Sequence, residues 1–67
     1  MPEMLTVKEL REMLKVSDRT IYRWVNDAKN GDGTLPFYNV NGMIRFDREE
    51  IRIWLESQKT TVAKRDM

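Results

Sequence analysis

Ser17-Asp18-Arg19-Thr20-Ile21-Tyr22-Arg23-Trp24-Val25-Asn26 is the stretch whose reading decides the fold. Ser17 suits an N-cap, because its short side-chain oxygen can accept from the unpaired amides of the turn that follows. At ~100° per residue, Ile21, Trp24, Val25 and Ala28 then gather on one side. Arg19, Arg23 and Asn26 fall nearly opposite, with Thr20 and Tyr22 on the flanks. The spacing predicts an amphipathic helix over about 18–28. Its outward face carries two guanidinium forks and one amide, the groups that best match guanine and adenine edges or phosphate oxygens.

Upstream, Thr6 and Glu9 form a capping box, and Leu5 and Leu10 stand at hydrophobic-staple spacing around it. Val7, Leu10, Met13 and Leu14 share a helical face, which predicts a first helix over about 6–14 behind a short entry segment at 1–5. Only Lys15-Val16 separates it from Ser17. Two helices joined that tightly cross steeply, as in a helix-turn-helix. Downstream, Lys29 to Thr34 reads as a loop, and Pro36 biases Leu35 to an extended conformation. Two β-prone runs, Phe37–Val40 and Met43–Phe46, flank Asn41-Gly42, a strong signal for a two-residue hairpin turn. That register pairs Phe37 with Phe46 and Asn39 with Ile44 on one face, and Tyr38 with Arg45 and Val40 with Met43 on the other. The first face is to sit on the helices. On the second, Tyr38 and Arg45 are candidates for a cross-strand cation–π pair. Asp47 with Glu50 forms a second capping box, and Ile51, Trp54, Leu55 and Gln58 share the face of a third helix over about 48–58. Residues 59–67 lack periodicity and are expected to be a disordered tail. The order helix, helix, β-hairpin, helix is a small α+β winged helix-turn-helix over 1–58, with its wing tip at Asn41-Gly42. Trp24 and Trp54 lie on apolar faces and are read as core.

Sixty-seven residues make one small domain. The chain has neither Cys nor His, which removes disulfides, the ordinary zinc site and the commonest nucleophile–base pairs. With no phosphate-binding loop or acid cluster either, the chain is not expected to be an enzyme, and no cofactor or metal is implied. Asn30-Gly31-Asp32-Gly33 fails as a calcium loop because Ala28 and Asn39 stand where acids are needed. No apolar run is long enough to span a membrane, and the N-terminus lacks the pattern of a secretory signal. The net charge is only +1. Residues 1–47 carry seven basic and seven acidic side chains, and Asp18 and Asp27 bracket the outward face of the second helix. A domain that holds DNA by charge alone is more basic than this. Specific binding would therefore be assisted by DNA shape or by neighbouring copies.

Taken together, Leu5–Leu10, Leu14–Trp24, Leu35-Pro36, the aromatic-rich hairpin and Phe46–Leu55 resemble the excisionase-type DNA-binding domains of the MerR-like winged helix-turn-helix group. The resemblance spans about residues 4–56. It implies a double-stranded DNA-binding protein of bacteria, phages or mobile elements, acting in the cytoplasm as an excision factor or a small transcription regulator. In such proteins the second helix enters the major groove and the wing touches backbone or minor groove. Carried over, this puts Arg19, Thr20, Tyr22 and Arg23 on DNA, Ser17 near a phosphate, and Arg45 on the wing. Asn26 joins them from the helix face, and Asn41 from the wing tip. The segment from Asn26 to Thr34 is longer than the family's usual turn, and Met43 stands where a basic residue usually follows the wing tip. An integrase or recombinase, or further copies of the chain, are the implied protein partners. No heptad helix follows the wing, so a MerR-style coiled-coil dimer is not expected. The competing reading keeps the fold as a protein–protein recruitment module for an integrase or for DNA-packaging machinery. Near-neutral charge and Ile53, off the apolar stripe of the third helix, favour it.

Overall fold

The computed structural model describes residues 4–59. In chain order it contains β1 (Met4–Leu5), α1 (Val7–Leu14), α2 (Asp18–Lys29), β2 (Tyr38–Val40), β3 (Met43–Asp47) and α3 (Arg48–Ser57). Each helix begins where a cap was legible. Thr6 Oγ1 accepts from the Glu9 amide and the Glu9 carboxylate accepts from the Thr6 amide, a complete capping box. Ser17 Oγ accepts from the Thr20 amide, and Asp47 Oδ1 accepts from the amides of Glu49 and Glu50. The second box departs from expectation in its other half: the Glu50 carboxylate accepts from the Tyr38 hydroxyl, 3.0 Å away. Helix boundaries differ from the spacing by a residue at an end: Thr6 is a cap, Lys29 extends α2, and α3 stops at Ser57.

The tight turn between α1 and α2 has a definite backbone solution. Lys15 takes a left-handed conformation (φ 61°), and the amides of Lys15 and Val16 both donate to the Arg11 carbonyl. Arg11 Nε lies 2.7 Å from Asp18 Oδ1 across the turn. The carboxylate is off the N–H direction, so this is an ion pair rather than an aligned hydrogen bond.

The sheet is larger than the hairpin. Its strands run β1-β3-β2, all antiparallel. The entry segment therefore contains a strand, with Met4 opposite Asp47 and Leu5 opposite Phe46. The hairpin pairs Tyr38 with Arg45, Asn39 with Ile44 and Val40 with Met43, as its turn dictates. The expected Phe37–Phe46 pair is replaced: Phe46 faces Leu5, while Phe37 precedes β2 and packs against the core. Asn41 and Gly42 have φ of 53° and 85°, the positive values a type I′ turn needs, and Asn39 Oδ1 accepts from the Gly42 amide.

The core is Leu5, Leu10, Ile21, Val25, Leu35, Phe46 and Ile51, one or two residues from every helix plus β1, β3 and the linker. Trp24 and Trp54 are half-buried against it, ring centroids 5.8 Å apart and tilted, and Trp54 Nε1 donates to Thr34 Oγ1. The buried stripe of α3 is narrower than its spacing suggests, since Leu55 and Gln58 are exposed. Ile53 is 55% exposed, as its position off the stripe implies. Among the described residues no helix is long and apolar enough to cross a membrane, and no group of side chains could hold a metal. The tail expected over 59–67 lies, apart from Lys59, outside the described residues.

Candidate nucleic-acid interface

The outward face of α2 is fixed by its inward one. Ile21 and Val25 are buried, and Trp24 is half-buried, so the helix cannot rotate without exposing them. Arg19, Tyr22, Arg23 and Asn26 are consequently exposed together, with Thr20 half-buried at the rim. Among the described residues, Arg19 and Arg23 are the arginines left without an intramolecular hydrogen bond or ion pair. Arg11 pairs with Asp18, Arg52 with Glu49, Arg45 with the Ile44 carbonyl, and Arg48 is also engaged. Two forked cations held side by side on a rigid helix, with Tyr22 and Asn26 adjoining, match phosphate oxygens and base edges.

The two acids bracketing this face are less intrusive than the sequence suggested. Asp18 is countered by Arg11, a pairing across the turn that no helical periodicity reveals. Asp27 lies on the flank, half-buried. Lys29, inside the helix rather than past it, adds a cation at the C-terminal end, where the helix dipole favours one.

Ser17 and Thr20 have local duties. Their hydroxyls are 3.1 Å apart and Ser17 caps the helix, so both are partly engaged within the chain. The wing carries Asn41 at its exposed tip. Arg45 does not extend from the wing: Nη1 donates to the Ile44 carbonyl at 2.8 Å, and Nη2 lies 3.8 Å from Met43 Sδ. Its cation–π pairing with Tyr38 is not formed. The Tyr38 hydroxyl turns instead to Glu50, tying the hairpin to α3. That bond and the nearby Glu50 charge push the Tyr38 phenol above its ordinary range, because both disfavour the phenolate. This strut was missed in the sequence because Glu50 has a local role by spacing.

The site residues thus form two groups: five on α2 with Ser17 at its cap, and two on the hairpin. α1 and the sheet relate them, since α1 packs on both α2 and β3.

Comparison with known families bears on the fold. The family model described as Helix-turn-helix domain matches residues 4–59, from the first strand to just past the third helix. No curated protein and no solved structure gives a significant match. The family match and the helix–turn–helix of α1 and α2 converge, and the chain belongs to the helix-turn-helix domain family of DNA-binding proteins.

Proposed function

We propose that the protein binds double-stranded DNA with sequence preference, inserting α2 into the major groove. Arg19 and Arg23 are the principal contacts, supported by Thr20, Tyr22 and Asn26. Ser17 stands near a phosphate, and Asn41 and Arg45 bring the wing to backbone or minor groove. The biological role that fits is an excisionase-like factor or a small transcription regulator of a bacterium, phage or mobile element. The observation that carries this reading is the pair Arg19 and Arg23, free of partners among the described residues on the exposed side of a helix whose other side is core. A cation that is already paired loses that partner on meeting DNA, whereas these two do not.

Arg23→Ala is expected to weaken specific duplex binding by roughly 1–3 kcal/mol in a titration at fixed salt. Unchanged affinity and preference would remove the helix from the interface. Selection from random duplexes separates the roles: an enriched direct repeat indicates cooperative excisionase-like binding, and a palindrome indicates a dimeric regulator. The reading as a protein–protein recruitment module rests on Ile53, exposed beside Pro36 and Trp54. Selection that enriches nothing, together with loss of partner capture on Ile53→Asp, would favour it.

A further inference from the structure

On a flank of α2, lined by neither Arg19 nor Arg23, is a cleft of about 390 Å³. Trp24, Trp54 and Leu35 are its apolar lining residues, and Asp27, Asp32, Thr34 and Gln58 its polar ones. Its shape is built. The Asp32 amide donates to the Asp27 carbonyl at 2.8 Å, which folds the loop back onto the end of α2. Gly33 packs so closely that a Cβ there would come within 3.2 Å of the Asp27 side chain. Trp54 is held by its bond to Thr34, and its ring is held against Trp24.

The chemistry of the cleft is one-sided. Among the described residues neither Asp27 nor Asp32 has a cationic partner within ion-pair distance, although Asp27 is half-buried. The other charge-bearing carboxylates of the turns, Asp18 and Asp47, are both engaged. Two unpaired carboxylates beside two indole rings are complementary to a planar cation that can stack and hydrogen-bond at once. Arginine does both, offering a fork to a carboxylate and a flat face to an aromatic ring.

We propose that this cleft is a docking site for an arginine side chain on a basic peptide segment of a partner protein. The guanidinium stacks on the Trp24–Trp54 pair and is held by Asp27 and Asp32. The cleft flanks the DNA-facing helix, so its occupant would sit beside the duplex, where a basic segment gains a second source of attraction. The proposal does not depend on DNA binding and is tested without DNA.

The probe is a short Gly/Ser peptide carrying two adjacent arginines, titrated into the full chain and followed by the indole N–H resonances of Trp24 and Trp54. A saturable shift of both is expected, absent for the same peptide with glutamates in place of arginines. Asp27→Asn with Asp32→Asn keeps the shape and removes the charge, and is expected to weaken binding about fivefold or more. Absence of a saturable shift, or equal affinity for the asparagine variant, overturns the proposal. The chain's own Lys64 and Arg65 are the rival occupant. If the peptide binds only after Lys64→Ala and Arg65→Ala, the cleft serves the chain itself and the partner reading is wrong.

Discussion

Single residues in this protein do their work through a few atoms each, and two of them make sharp predictions. Lys15 sits at φ 61° to close α1. A left-handed L-residue costs about 1–2 kcal/mol, whereas glycine occupies that region freely. Lys15→Gly also gains unfolded-state entropy, which takes back part of the benefit. The net expectation is a gain of about 0.5 kcal/mol, read as a higher urea midpoint with an unchanged slope. A lower midpoint would mean that the Lys15 side chain contributes more than its backbone strain costs. Tyr38 is the second case. Its phenol is pushed above its ordinary value by the bond to Glu50 and by that carboxylate's charge. A raised folded-state value means a contribution fully present below the ordinary tyrosine range and lost as pH rises through the folded value. Glu50→Gln should return the phenol toward its ordinary value in a ring-resonance titration. Tyr38→Phe should differ from the parent in stability at neutral pH and converge with it at strongly alkaline pH.

Elements show where sequence reading succeeds and where it stops. The three helix starts at Thr6, Ser17 and Asp47 were legible because caps are local: the acceptor and its amide lie within three residues. The hairpin register was legible because Asn41-Gly42 fixes both the turn and the pairing around it. β1 was not, because two residues carry no period, and Met4-Leu5 are extended only through β3, some forty positions on. The same distance problem hid Arg11–Asp18 and Tyr38–Glu50, contacts between elements that obey no helical or strand spacing. The face of α2 was legible from periodicity, but that Arg19 and Arg23 are unpaired among the described residues depends on where the acids of the other elements fall, which no spacing reveals. The wing gives the prediction proper to this scale. Gly42 has φ 85° and open space around it, so the penalty for Gly42→Ala is backbone strain rather than a clash. About 1–2 kcal/mol of stability should be lost. If the wing contacts DNA, affinity at temperatures where the variant remains folded should fall as well. Retained affinity with lost stability would leave DNA contact to α2 alone.

At the scale of the whole molecule, the central constraint is a small core and an almost neutral surface. A domain this short draws only about 3–5 kcal/mol from its core, so a core truncation has little margin. Leu10 and Phe46 are fully buried at the junction of α1, β1 and β3, and Leu10→Ala should cost about 2–5 kcal/mol and leave the chain largely unfolded at 37 °C by circular dichroism. The surface sets the manner of DNA binding. Arg11 and Arg52 are committed to Asp18 and Glu49, which leaves Arg19, Arg23, Lys29 and, once released from the Ile44 carbonyl, Arg45 as the cations that α2 and the wing can offer. About four phosphate contacts give a log–log salt slope near −3 to −4 for one bound copy. A steep slope near −8 per copy would require basic groups elsewhere, and a flat one would remove the phosphates from the interface. The slope also separates the roles of the two arginines. If Arg23 neutralises a phosphate, Arg23→Ala should flatten the slope by about 1 and weaken all sequences alike; if it reads a base, the slope should stay and the preference at one position should relax.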